Sequence, residues 1–217
     1  MSSIITYATA ERADVAGLLG ATDRLTEDQQ RALARAREKA RTQQSDIDPE
    51  GLNPGLSVPD ALEHLIAGHA DSDAAHAACA YYRALQCLID VNACDPEELG
   101  VYSRPAAFFS ALDDELRRLG VSADLLPHAR LFSGPPAEIP FHIPYPVDGP
   151  HIGMWPLDRA KPAADTYRAV LDRINPEFTY DLLLLIERLD VEHDAWKSST
   201  QECDWYSQDT IFFSITG

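Results

Sequence analysis

Thr210-Ile211-Phe212-Phe213-Ser214-Ile215-Thr216 is the stretch whose reading decides the fold. All of its residues except Ser214 are β-branched or aromatic, which suits a packed, pleated surface, so it reads as a closing strand. At the other end of the chain, Ser3 to Ala8 carries the same signal through Ile4, Ile5 and Tyr7. Between these two runs the apolar residues recur mostly at helical spacing. The expected architecture is one α+β domain over residues 1–217. Its small sheet is formed largely by the N- and C-terminal strands and covered by about seven helices.

Working inward, Thr9 offers an N-cap for a helix over about 10–19 that Gly20 can stop. Thr26 and Gln29 form the T-x-x-Q pattern of a capping box and open a helix to about Arg41. A loop is expected over 43–56. Ser57, Pro59 and Asp60 start a helix that buries Leu62, Leu65 and Ile66 and ends at Gly68. Asp71 or Ser72 can cap the next, a central helix to about Val91 rich in alanine. Ser103 and Pro105 open a helix through Phe109, Leu112 and Leu116, closed by Gly120. Leu182, Leu185, Ile186, Leu189 and Trp196 place one stripe on a helix over about 176–196.

Residues 127–162 stand apart, holding nine of the 15 prolines. Proline fixes φ and donates no hydrogen bond, so the segment cannot run long inside a helix or sheet. Phe132, Ile139, Phe141, Ile143, Tyr145 and Trp155 punctuate it, so the expectation is an ordered loop laid over the domain. A brief strand at Ile152–Leu157 should end it, and another helix should follow Pro162.

The charge is strongly acidic: 18 Lys+Arg against 35 Asp+Glu give −17. Residues 42–99 carry eleven acids and one base, Arg83, so the acidity belongs to the body rather than to a tail. Nucleic acid is excluded as an expected partner because phosphate binding needs a basic footprint. Docking on an anionic membrane is excluded for the same reason. Met1 to Tyr7 has no basic n-region or apolar h-region, and no apolar run approaches the ~20 residues of a membrane span. Four cysteines without a C-x-x-C pair read as reduced thiols, and the expected location is the cytoplasm.

The opening Ser3 to Gly20 is a strand followed at once by a capped helix. Pro150-His151-Ile152-Gly153-Met154-Trp155-Pro156-Leu157-Asp158 leads into another helix, and Ile211 to Ile215 ends the chain. In the order of these elements the sequence resembles the YfbM-like group of small bacterial cytoplasmic proteins and its actinobacterial relatives. The 127–150 loop departs from the compact bacterial members. The resemblance implies the fold; the group has no established catalytic residues to carry over.

Several residues are candidates for chemistry. His64, His69 and His76, with Asp71 and Asp73, surround one turn. Their spacing is not that of a metal site, and turn chemistry explains them, so no metal is expected. His193 lies on the apolar stripe of the last helix beside Glu187, Asp190 and Asp194. That arrangement suits general acid–base work, or is a half-buried histidine beside a solvated acidic face. Cys203 is flanked by Glu202 and Asp204, which should blunt its reactivity. On the proline-rich loop, His142, Tyr145, His151 and Trp155, with Arg130 and Arg159 at its edges, could line a pocket or meet a partner; equally, the aromatics could pin the loop to the core. Walker, dinucleotide, nucleophile-elbow and H-E-x-x-H motifs are absent.

Two functional readings follow. The leading one is a non-catalytic interaction module with an acidic surface, comparable to an immunity protein, whose partner is a basic protein. The other is a small enzyme or ligand-binding protein, with a His/Asp site of His142, His151, His193 and Asp190 between the loop and the C-terminal helix. No cofactor is expected under the first reading, and oligomeric state is not legible in the sequence.

Overall fold

The computed structural model describes residues 2–21, 25–47, 55–147 and 149–217. The two terminal strands, β1 (Ser3–Ala10) and β4 (Thr210–Thr216), pair antiparallel along their whole length, from Ile4 opposite Thr216 to Ala10 opposite Thr210. Two middle strands flank them. The sheet order is β2-β1-β4-β3, with β2 at Glu97–Tyr102 and β3 at His151–Pro156, and every pairing is antiparallel.

Because the terminal strands are central, helices cover both of their faces. On one face lie α1 (Arg12–Ala16), α2 (Glu27–Ile47), α3 (Val58–Ala67) and α4 (Ala77–Asn92), around a core that includes Phe212 and Ile152. On the other lie α5 (Pro105–Arg118), α6 (Pro127–Leu131), α7 (Leu157–Arg168) and α8 (Thr179–Glu202), packed on Ile5, Tyr7, Trp155, Ile211, Phe213 and Ile215. Successive strand side chains point to opposite faces, so adjacent Phe212 and Phe213 serve different cores. This double burial is why β4 is buried continuously from Thr210 to Ile215 rather than alternating.

Several helix signals act as the sequence implies. Thr26 and Gln29 form the reciprocal capping bonds, at 3.0 and 3.2 Å. Ser57 Oγ accepts from the Asp60 N–H at 3.1 Å, and Gly68 closes α3 in the left-handed region at φ +89°. α4 is the central helix, burying Tyr81, Tyr82, Leu85 and Leu88.

Other boundaries differ, each for a tertiary reason. Thr9 is not an N-cap: pairing with β4 keeps it extended, and α1 begins at Arg12 after Glu11. α2 continues to Ile47 because Ala40 and Ile47 find the core; the remainder of the expected loop, 48–54, lies outside the described residues. α4 begins at Ala77, since Tyr81 Oη holds the Ser72 N–H at 3.1 Å and keeps that stretch out of the helix. β2 has no sequence signal, because Glu97, Glu98 and Gly100 are poor strand formers. Pairing with β1 makes the strand, across an irregularity between Ile5 and Thr6.

The proline-rich segment is more structured than a loop. α6 opens it, β3 and α7 close it, and Pro162 lies inside α7. Pro162 is on the exposed side of the helix, while Ala160, Ala163, Ala164 and Tyr167 bury the opposite side. The irregular part, described over 132–147 and 149–150, is a strap. Phe132 packs on the α5–α8 core, whereas Ile139, Phe141 and Ile143 pack on the α1–α4 core. The strap therefore passes around the outer edge of β3, where the Gly134 N–H donates to the Ile152 carbonyl at 2.9 Å. That covers one sheet edge.

Candidate functional site

The strap brings two of the sequence candidates together. The ring of Tyr145 stacks on His151 with centroids 5.1 Å apart and a 23° interplanar angle. Phe132 meets the same imidazole edge-on at 5.5 Å and itself stacks on His128 at 4.9 Å. Tyr82 of α4 contacts Tyr145 at 5.9 Å. His151 stands at the start of β3 in this file of rings. Its Nδ1 is buried without a hydrogen-bond partner among the described residues, and burial lowers its pKa below the usual imidazole value of 6.5, which favours the neutral ring at pH 7. An open cleft of about 530 Å³ lies between the start of α4 and the strap, lined by Ser72, Asp73, His76, Cys79, Tyr145 and Val147. A second, of about 400 Å³, joins His151 to Ser103, Arg104 and the start of α5.

The other candidates are dispersed. His142 is exposed on the strap. Trp155 is fully buried against Tyr167, so it is core and presents nothing to a ligand. Arg130 and Arg159 converge on Asp124: Arg130 Nη2 donates to its carbonyl at 2.9 Å, and Arg159 pairs with its carboxylate. Asp190 is held by Lys161 at 3.1 Å and by Arg168, which makes it a clamp between α7 and α8. His193 packs on Trp196 and lies 3.3 Å from Asp194. His151 is on the edge strand β3, whereas Glu97, which Arg188 of α8 meets, is on the opposite edge strand β2, and the two strands are roughly 14 Å apart across three strand spacings.

The turn histidines are engaged locally. His64 Nδ1 contacts Tyr81 Oη at 2.9 Å, His69 contacts Asp71 at 2.9 Å, and His76 starts α4 at φ 58°. Among the described residues no group of three or more His, Cys, Asp or Glu side chains is placed to hold a metal ion. The four cysteines are unbridged, and burial pushes the Cys87 thiol up to about 12. No described helix is long and apolar enough to cross a membrane.

Two features were not found from the sequence. One is a polar nest on the far edge. Tyr7 Oη donates to Glu97 Oε2 at 2.8 Å, Arg188 reaches the same oxygen at 3.3 Å, and Arg188 Nε is buried without a partner among the described residues. Burial, then the nearby Glu97 charge, raises the pKa of Glu192 beside them. Only tertiary contact joins residues so far apart in the chain. The other is Trp205, 80% exposed on the loop before β4. An aromatic within Glu202-Cys203-Asp204-Trp205 was legible as a surface anchor from its acidic neighbours.

The charge gains a geometry here. Most described bases already sit in ion pairs, including Arg12 with Glu138, Arg37 with Glu63, Lys39 with Asp90 and Arg118 with Glu115. The surplus carboxylates are left on the surface.

No match is found among curated proteins or among solved structures. A family model described as a domain of unknown function, DUF7691, matches residues 1–214, and the chain, with its four-stranded sheet between two helical layers, belongs to that family.

Proposed function

We propose that this protein is a non-catalytic cytoplasmic interaction module that receives a basic protein on its acidic surface. The observation that carries the reading is the fate of the charge. With a net −17, most of the described bases are paired with the protein's own carboxylates and acids outnumber bases, so the field it presents outward is negative. Such a field steers a positive partner and repels nucleic acid and anionic membrane. The order of elements also supports kinship with the YfbM-like group.

The test is native mass spectrometry on protein purified gently from its own cells, followed by reconstitution with the partner it identifies. The expected result is a stoichiometric partner of high pI that dissociates as ionic strength rises from about 0.05 to 0.5 M. A complex indifferent to salt, or a tightly held small molecule in place of a protein, overturns the reading.

A second reading, a ligand-binding or acid–base site on the strap, is favoured by the buried Nδ1 of His151, which has no hydrogen-bond partner among the described residues. Under it, a small molecule accompanies the purified protein and is lost from the His151→Ala variant.

A further inference from the structure

We infer that a basic partner docks at the end of the sheet that carries Trp205, with an arginine side chain stacked on that indole. The inference rests on the reading of the acidic surface and names the place and the contact.

The loop 203–209 is fixed rather than free. Tyr206 Oη and Thr9 Oγ1 both donate to Gln208 Oε1, at 3.0 and 2.6 Å, and Thr9 also contacts Cys94 Sγ at 3.2 Å. The Tyr206 N–H closes a turn on the Cys203 carbonyl at 3.0 Å. These bonds join the loop before β4 to the loop before β2, on either side of Trp205, which is 80% exposed. A fixed backbone beneath the indole lowers the cost of ordering the loop on binding, and tryptophan is prominent among residues that anchor interfaces.

The surroundings define the occupant. Glu202 and Asp204 flank the indole, Asp95 lies on the adjoining loop, and Glu192 is near enough to raise the pKa of Tyr206. No Lys or Arg occurs in residues 84–103 or 198–217. Of the bases nearer this end, Arg12 is paired with Glu138 and Arg188 with Glu97, Arg35 donates to the Val91 carbonyl, and Lys197 of α8 is an exposed base outnumbered by these acids. An exposed indole flanked by Glu202 and Asp204, which have no ion pair among the described residues, attracts a cation twice, through the ring face and through the acids. Arginine fits better than lysine because its planar guanidinium can stack on the ring while its edge meets a carboxylate. The exposed residues Tyr180 and Leu183 lie near the opposite end of α8, where Glu177 and Asp181 stand beside Tyr180 but the bases Arg118 and Arg173 are close in the fold as well.

The probe is a fluorescein-labelled nona-arginine peptide, with nona-lysine as comparison, followed by anisotropy at two ionic strengths. The intact protein should bind nona-arginine more tightly than nona-lysine and lose affinity with salt. Trp205→Ala should weaken nona-arginine binding about fivefold, narrow the preference over lysine, and leave the thermal midpoint and circular dichroism unchanged. Glu202→Gln with Asp204→Asn should weaken it further. Asp172→Asn with Glu177→Gln removes equal charge at the other end of α8 and should have little effect. No salt-sensitive binding by the intact protein overturns the acidic-surface reading itself. Salt-sensitive binding with all variants alike overturns only the placement at Trp205.

Discussion

The carbonyl of Leu131 lies against Gly153, in space that a Cβ on that residue would occupy. The end of α6 thus rests directly on β3, and the strap begins its path around the sheet edge from that contact. Backbone cannot yield as a flexible side chain can. Gly153→Ala should cost about 3 kcal/mol, read by urea unfolding with folding retained. A loss under 0.5 kcal/mol would show that the contact is not what seats the strap.

Asp113 of α5 provides the second attachment. It is 2% exposed, and its Oδ1 accepts from the His128 N–H at 2.9 Å, tying α5 to the start of α6. Asp113→Ala strands a buried N–H and should cost about 2 kcal/mol, whereas Asp113→Asn keeps the acceptor and should cost less. Equal losses for the two variants would argue against the hydrogen bond as the cause.

The Ser57 cap gives a simpler prediction. Ser57→Ala removes the acceptor for the Asp60 N–H and should lower stability by about 1 kcal/mol, visible as a lower urea midpoint at constant slope. A changed slope would instead mean a change in the compactness of one of the two states.

His151 and Glu192 respond to pH in opposite senses. The pKa of His151 is lowered by burial, so the unfolded chain binds its proton more readily, and stability is lost as pH falls below 6.5 toward the lowered folded value. His151→Phe removes that loss and leaves no polar atom unpaired, so this variant should tolerate mild acid better. Stability curves from pH 5 to 8 decide the matter: if both proteins lose stability alike, His151 is not the titrating group.

The pKa of Glu192 is raised, chiefly by burial, so the native state binds the proton more readily. Its unfavourable ionised form therefore weighs on the fold at pH 7, and the penalty fades as pH falls toward 4.5. Glu192→Gln should be more stable than the parent at pH 7, with the advantage shrinking on acidification. An advantage that persists unchanged at pH 4 would point to packing instead of charge.

The chain itself determined its local punctuation. Ser57 with Pro59 starts a helix and Gly68 stops it; Thr26 and Gln29 cap one another; and the β-branched and aromatic run at 210–216 suits only a packed strand. These are near-neighbour effects, written within a few residues, and they gave the fold class together with the surplus of negative charge. Tertiary structure decided what depends on distant partners. Glu97–Tyr102 became a strand because β1 lay ready to pair with it, and Pro162 was admitted to α7 because α8 buries the other side of that helix. Trp155 went to the core because β3 pairs with β4 and turns it inward, while Trp205, on the loop before β4, stayed outside. The file of rings at His151 and the nest around Glu97 join residues far apart in sequence. Their chemistry arises from burial and juxtaposition, which periodicity and composition do not encode.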